Sequence, residues 1–69
     1  MPEPNLRMLR YSKGLSQKEL AKAIGVSQTT VTLWEQGKSK PSLGSAVKLA
    51  NFYAVDLTVI SNAINYHFS

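Results

Sequence analysis

Two helix-start signals lie eleven residues apart, at Ser16 and Ser27, with a glycine at position 25 between them. The first reads Ser16-Gln17-Lys18-Glu19. Ser16 can accept from the amide of Glu19, and the Glu19 carboxylate can reach back to the amide of Ser16, which is a capping box. Leu15 precedes the cap and Leu20 is the fourth helical residue, so the two can close a hydrophobic staple. Leu20, Ala21 and Ile24 share one helical face. Gly25 is the expected stop, because it takes left-handed backbone without strain. The second signal is Val26-Ser27, with Ser27 as cap and Val26 placed to staple onto Val31. No Glu or Gln stands at its third helical position, so the reciprocal half of the box is missing. Gly37 is the natural end of this second helix. A chain punctuated in this way builds two short helices at a steep angle.

At about 100° per residue, positions 28 to 36 separate into two faces. Val31 and Trp34 point one way, with Thr30 and Glu35 at the margins, and this face is core. Gln28, Thr29, Thr32, Leu33 and Gln36 point the other way. Those side chains suit base edges. Gln can bond adenine N6 and N7 together, Thr can donate or accept, and Leu or a Thr methyl can pack on a thymine methyl. Taken alone, the same face is equally a solvated helix side with one stray leucine.

The rest of the chain reads as helices packed around this pair. Residues 4 to 12 form a first helix with Leu6 and Leu9 inward and Arg7 and Arg10 three apart, ended by Lys13-Gly14. Ser42 caps a fourth helix, in which Leu43, Ala46, Val47, Leu49, Ala50 and Tyr53 make a broad apolar stripe. Gly44 sits in its first turn, where the helix penalty is small. Asp56 is placed to cap a fifth helix running to about Ile64. Beyond it Ile64, Tyr66 and Phe68 alternate with Asn65, His67 and Ser69, the pattern of a short extended tail.

At 69 residues the chain is expected to be a single domain, 1–69, with a small core. The net charge of +4 and the pI near 9.7 favour phosphate backbones or anionic surfaces. No apolar run approaches the ~20 residues that span a bilayer, and no signal-peptide core is visible, so neither a membrane partner nor export is expected. The absence of cysteine excludes a disulfide framework and thiolate metal sites, in keeping with a cytoplasmic protein. His67 is the only histidine and lies beside no acidic cluster, so neither metal ligation nor catalysis is expected of it. Ser16 and Ser27 have no base partner in sequence, and there is no phosphate-cradling glycine loop. No enzyme, cofactor or small-molecule substrate is implied.

The full set of signals is Leu9-Arg10, Lys13-Gly14-Leu15-Ser16-Gln17, Glu19-Leu20-Ala21, Gly25-Val26-Ser27, Val31, Trp34-Glu35, Gly37, Pro41-Ser42-Leu43 and Lys48-Leu49-Ala50. In order and spacing across residues 6 to 60 it resembles the phage repressor and Cro (Xre-like) helix-turn-helix family. The resemblance implies an all-α, five-helix domain that binds a two-fold DNA operator as a dimer. Gln28, Thr29, Thr32 and Leu33 match the base-facing positions. Gln17 matches a residue that holds a phosphate and braces the recognition helix. Ser27, Lys38, Lys40 and Ser42 match further backbone contacts. Arg10 matches a position that pairs with the acidic residue matching Glu35, so an internal ion pair and a phosphate contact both stay open for it. The family's dimer contact falls at the start of the fifth helix, matching residues 56 to 60. Ile60 reads as core, while Leu57, Thr58, an exposed Val59, Tyr66 and Phe68 are the interface candidates. A Cro-like repressor is the leading expectation. An antitoxin, a restriction-modification controller, or an interaction module without DNA binding are the alternatives.

Overall fold

The computed structural model describes residues 5–64. Five helices follow one another: α1 (Leu6–Ser12), α2 (Gln17–Ile24), α3 (Gln28–Gln36), α4 (Leu43–Tyr53) and α5 (Leu57–Ala63). No strand occurs among the described residues.

The caps are local, and most are those the sequence encodes. In α2 the Glu19 amide donates to Ser16 Oγ at 3.1 Å and the Ser16 amide donates to Glu19 Oε1 at 2.9 Å, so the capping box is closed in both directions. Gly25 follows at φ 76°, and the Val26 amide reaches back to the Ala21 carbonyl at 2.9 Å. That six-residue closure satisfies a terminal carbonyl and turns the chain sharply toward Ser27. Helix α3 repeats the pattern, with the Thr30 amide on Ser27 Oγ at 3.1 Å and the Lys38 amide on the Leu33 carbonyl at 3.0 Å beyond Gly37. Helix α1 begins later than residue 4, because Asn5 is extended and its Oδ1 accepts from the Met8 amide at 2.9 Å.

The core gathers one face from each helix: Leu6 from α1, Leu20, Ala21 and Ile24 from α2, Val31 and Trp34 from α3, Ala46, Leu49, Ala50 and Tyr53 from α4, and Ile60 from α5. Ile60 and Ala46 are fully enclosed. Truncating Leu49 or Ile60 to Ala would open a cavity worth about 2–5 kcal/mol. Trp34 is core as its position in the pattern implied, with 7% of its surface exposed.

Several expectations need correction. The stripe on α4 is narrower than six residues: Leu43 is 53% and Val47 40% exposed. The small side chains of Ala46 and Ala50 let α4 close onto its neighbours along one row, and Leu43 and Val47 fall beyond its margin. Asp56 stands at the N-cap of α5 but makes no side-chain cap hydrogen bond. The Val59 amide goes to the Asp56 main-chain carbonyl instead, at 3.0 Å. Val59 itself is half-buried, not exposed, while Thr58 is exposed and Leu57 packs half-buried against the core. Ile64 caps the end of α5 at φ −104° and ψ 3°, which is not strand geometry. The rest of the expected extended tail, with Tyr66, His67 and Phe68, lies outside the described residues.

The corner between α4 and α5 was not legible as a turn. Ala54 sits there at φ 57° and ψ 45°, and the Val55 amide closes on the Ala50 carbonyl at 3.0 Å. It is the closure that glycine makes at the end of α2, made here by a residue with a Cβ, and it swings α5 through 114° relative to α4.

Candidate nucleic-acid interface

Glu35, near the end of α3, is the hub that fixes how α3 stands against α1 and α2. Its side chain is 1% exposed. Arg10 of α1 donates to it through Nε (2.7 Å to Oε2) and Nη2 (3.0 Å to Oε1), a bidentate fork. The third guanidinium nitrogen, Nη1, donates to the Leu15 carbonyl at 2.8 Å, closing the loop between α1 and α2. Gln17, the first residue of α2, donates Nε2 to Glu35 Oε1 at 3.0 Å. Arg7 stands 3.5 Å from the same oxygen with half of its side chain in solvent. One carboxylate therefore gathers two arginines and an amide from two other helices.

The electrostatics follow from that geometry. Burial alone would raise the Glu35 carboxyl, but the hydrogen bonds from Arg10 and Gln17 and the Arg10 charge override it and hold it below the usual carboxylate range. The Arg10 guanidinium is pushed further up, chiefly by its hydrogen bond to Glu35. Tyr53 sits close enough to feel the Glu35 charge. Its hydroxyl is buried and finds no hydrogen-bond partner among the described residues, and burial with that nearby carboxylate pushes it up to about 12.

From this hub a second chain of bonds runs outward along α3. Thr32 Oγ1 donates to Gln17 Oε1 at 2.7 Å and lies 3.1 Å from the Gln28 carbonyl one turn earlier. Gln17 thus bridges the buried carboxylate and the outer side of α3. On that outer side Gln28 and Thr29 are exposed in the first turn, Thr32 and Leu33 are half-buried, and Gln36 is exposed. The four residues expected to read bases therefore lie on the outer side of one helix, and the two of the first turn are the more exposed.

The other expected contacts lie around it. Lys38 and Lys40 are exposed in the loop after α3. Ser27 Oγ is occupied by the Thr30 amide and by Thr30 Oγ1 at 2.8 Å. Ser42 Oγ accepts from the Ser45 amide at 3.3 Å at the start of α4. Of the two roles open for Arg10, the ion pair is present: the residue is 7% exposed and each of its three nitrogens already donates. Two participants were missed from sequence. Arg7 joins the Glu35 cluster, and its only signal was the spacing of three from Arg10. The Thr32–Gln17 bond joins residues fifteen apart and has no signal in either helix read alone. Among the described residues no group of acidic, His or Cys side chains could hold a metal, and no single helix is long and apolar enough to cross a membrane.

The helix-turn-helix family model matches residues 6–60, most of the chain. Over 52 residues, 75% of this chain, the sequence is 40% identical to the cryptic phage CTXphi transcriptional repressor RstR of Vibrio cholerae, covering 47% of that protein. Over the same length it is 36% identical to the HTH-type transcriptional activator BcrR of Enterococcus faecalis, covering 26% of it. It is 42% identical to an uncharacterized HTH-type transcriptional regulator of Methanocaldococcus jannaschii, covering 79%. The chain thus spans half or less of the two named bacterial regulators and most of the archaeal one. The capped helix pair, its glycine corner and the match across 6–60 make this chain a member of the Xre-like helix-turn-helix family of transcriptional regulators.

Proposed function

We propose that the chain is a sequence-specific DNA-binding repressor that occupies a two-fold operator as a homodimer. The observation that carries this reading is how α3 is held and presented. Glu35 and Gln17 pin the helix from behind, while Gln28 and Thr29 stand exposed in its first turn. In helix-turn-helix proteins the residues at that end enter the major groove, and two-fold dimers space their recognition helices about 34 Å apart. Gln28, Thr29, Thr32 and Leu33 read bases. Gln17, Ser27, Lys38, Lys40 and Ser42 line the flanking phosphates, where exposed lysines act on any sequence alike. The dimer forms around Leu57, Thr58 and Val59, with Tyr66 and Phe68 of the tail adding apolar surface.

Selection of bound duplexes from a random pool tests the reading. A selected motif with two-fold symmetry is expected. Gln28→Ala should weaken binding to that motif by ~1–3 kcal/mol and relax one base pair in each half-site, with little change on random duplex. Equal losses on both would make Gln28 a positioning residue, and a pool that stays random would overturn the reading. Sedimentation with Val59→Lys tests the dimer: the variant should be monomeric and lose the two-fold motif. A reporter whose promoter overlaps the motif then shows whether occupancy lowers transcription.

A further inference from the structure

The buried carboxylate of Glu35 sets the hydrogen-bonding polarity of the outer side of α3. A carboxylate only accepts, so the Gln17 group facing it at 3.0 Å is the amide NH2. The Gln17 carbonyl oxygen is then turned toward Thr32, whose hydroxyl lies 2.7 Å away. That oxygen too can only accept, so the Thr32 proton points back into the protein. The neighbouring Gln28 carbonyl, at 3.1 Å, is also an acceptor and offers no way out. A threonine hydroxyl carries one proton. Thr32 therefore presents outward only lone pairs and a methyl group, although its side chain could in principle donate. The orientation of the Gln17 amide follows from the chemistry of Glu35 and needs no view of hydrogens.

The geometry points to Thr32 as an acceptor-only reader that selects the exocyclic amino group of adenine N6 or cytosine N4, with Glu35 and Gln17 as positioning residues that impose this choice. In the major groove those amino groups are the donors, whereas guanine O6 and N7 and thymine O4 are acceptors. An acceptor facing an acceptor is repelled, so the keto oxygen of the opposite base is rejected at the same point. The inference rests on the proposal that α3 reads DNA and adds to it a direction for one contact.

The experiment uses the full chain and the motif selected from the random pool. Random-pool selection with Thr32→Val and Thr32→Ser identifies the base pair concerned: its preference should vanish with Val and survive with Ser, which keeps the hydroxyl. At that pair the amino group is then removed in synthetic duplexes, with purine replacing adenine or pyrimidin-2-one replacing cytosine. Wild type should lose about 3- to 10-fold in affinity, the range of one hydrogen bond, and Thr32→Val should lose nothing further. Gln17→Leu, which removes the internal acceptor and the amide together, should relax the same pair and not the one read by Gln28.

A wild-type loss that follows the keto oxygen of the partner base overturns the inference, because Thr32 would then be donating. So does an unchanged motif with Thr32→Val. In either case a normal response of Gln28→Ala leaves the wider reading of α3 standing. Failure of wild type to select any motif overturns both.

Discussion

Arg10 and Glu35 are twenty-five residues apart in sequence and share two hydrogen bonds of 2.7 and 3.0 Å in a site from which water is almost excluded. Their surroundings are unequal. Without Arg10, Glu35 keeps Gln17 and Arg7 as donors. Without Glu35, Arg10 keeps only the Leu15 carbonyl as acceptor and the Gln17 amide loses the one it had. We expect Glu35→Ala to cost about 3–5 kcal/mol and Arg10→Ala less, with a coupling energy above the ~1 kcal/mol of an exposed pair. A double-mutant cycle in urea measures it. A coupling near zero would reduce the pair to a surface contact.

Acid should reveal the same carboxylate. Its folded-state value is depressed, so its contribution is fully present above the ordinary carboxylate value of about 4.3 and is lost as pH falls through the folded value. Glu35→Gln keeps the shape and removes the charge. Its melting temperature should lie below wild type at pH 7, and the gap should narrow as pH drops below about 4. A gap that stays constant down to pH 2 would show that the charge of Glu35 is not what stabilises the site. Glu19, held down by its bonds to Ser16, keeps some acid sensitivity in the variant.

Tyr53 gives the opposite limb. Its hydroxyl is pushed up to about 12, so the stability of its neutral form is whole below pH 10 and drains away between there and 12. Tyr53→Phe removes a buried hydroxyl that has no partner among the described residues and keeps the edge-to-face contact with Phe52, centroids 5.2 Å apart. The variant should be as stable as wild type or better by up to about 1 kcal/mol at pH 7, because no hydrogen bond is lost. It should also lack the late-titrating tyrosine in an absorbance titration at alkaline pH. A loss above ~1 kcal/mol would reveal a bond to that hydroxyl.

Ala54→Gly should stabilise. The left-handed backbone at φ 57° costs a residue with a Cβ roughly 1–2 kcal/mol, partly offset by the greater freedom of glycine when unfolded. A net gain of about 0.5–1 kcal/mol, a few degrees in melting temperature, is expected. A lowered melting temperature would mean that the Ala54 methyl packs more usefully than its backbone is strained.

Lys38 and Lys40 should contribute to affinity without contributing to choice. Each Lys→Ala change should flatten the slope of log affinity against log salt by about one unit, on selected and random duplexes alike. An unchanged slope in the double variant would return both lysines to an ordinary solvated loop.

Local chemistry was readable from the chain itself. Ser16 with Glu19, Ser27 with Thr30, and the glycines at 25 and 37 act within a few residues of one another, so their side chains and backbone specify helix ends before any packing occurs. The period of apolar residues likewise placed Val31, Trp34 and Leu49 inside, because a helix has one side to bury. Packing decided what periodicity could not. Leu43 and Val47 fit the stripe of α4 as well as Ala46 does, and only the line along which the neighbouring helices close leaves them in water. No rule of local sequence puts an alanine at a left-handed corner; the packing of buried Tyr53 before it and half-buried Val55 after it holds Ala54 there. The site divides in the same way. That α3 carries a polar outer face was visible in its nine residues, but that Thr32 faces an acceptor was not, since the acceptor belongs to α2 and is turned by a carboxylate that α1 holds in place. Hydrogen-bond direction at a surface is set by what lies behind it, and that is assembled only when three separate helices meet.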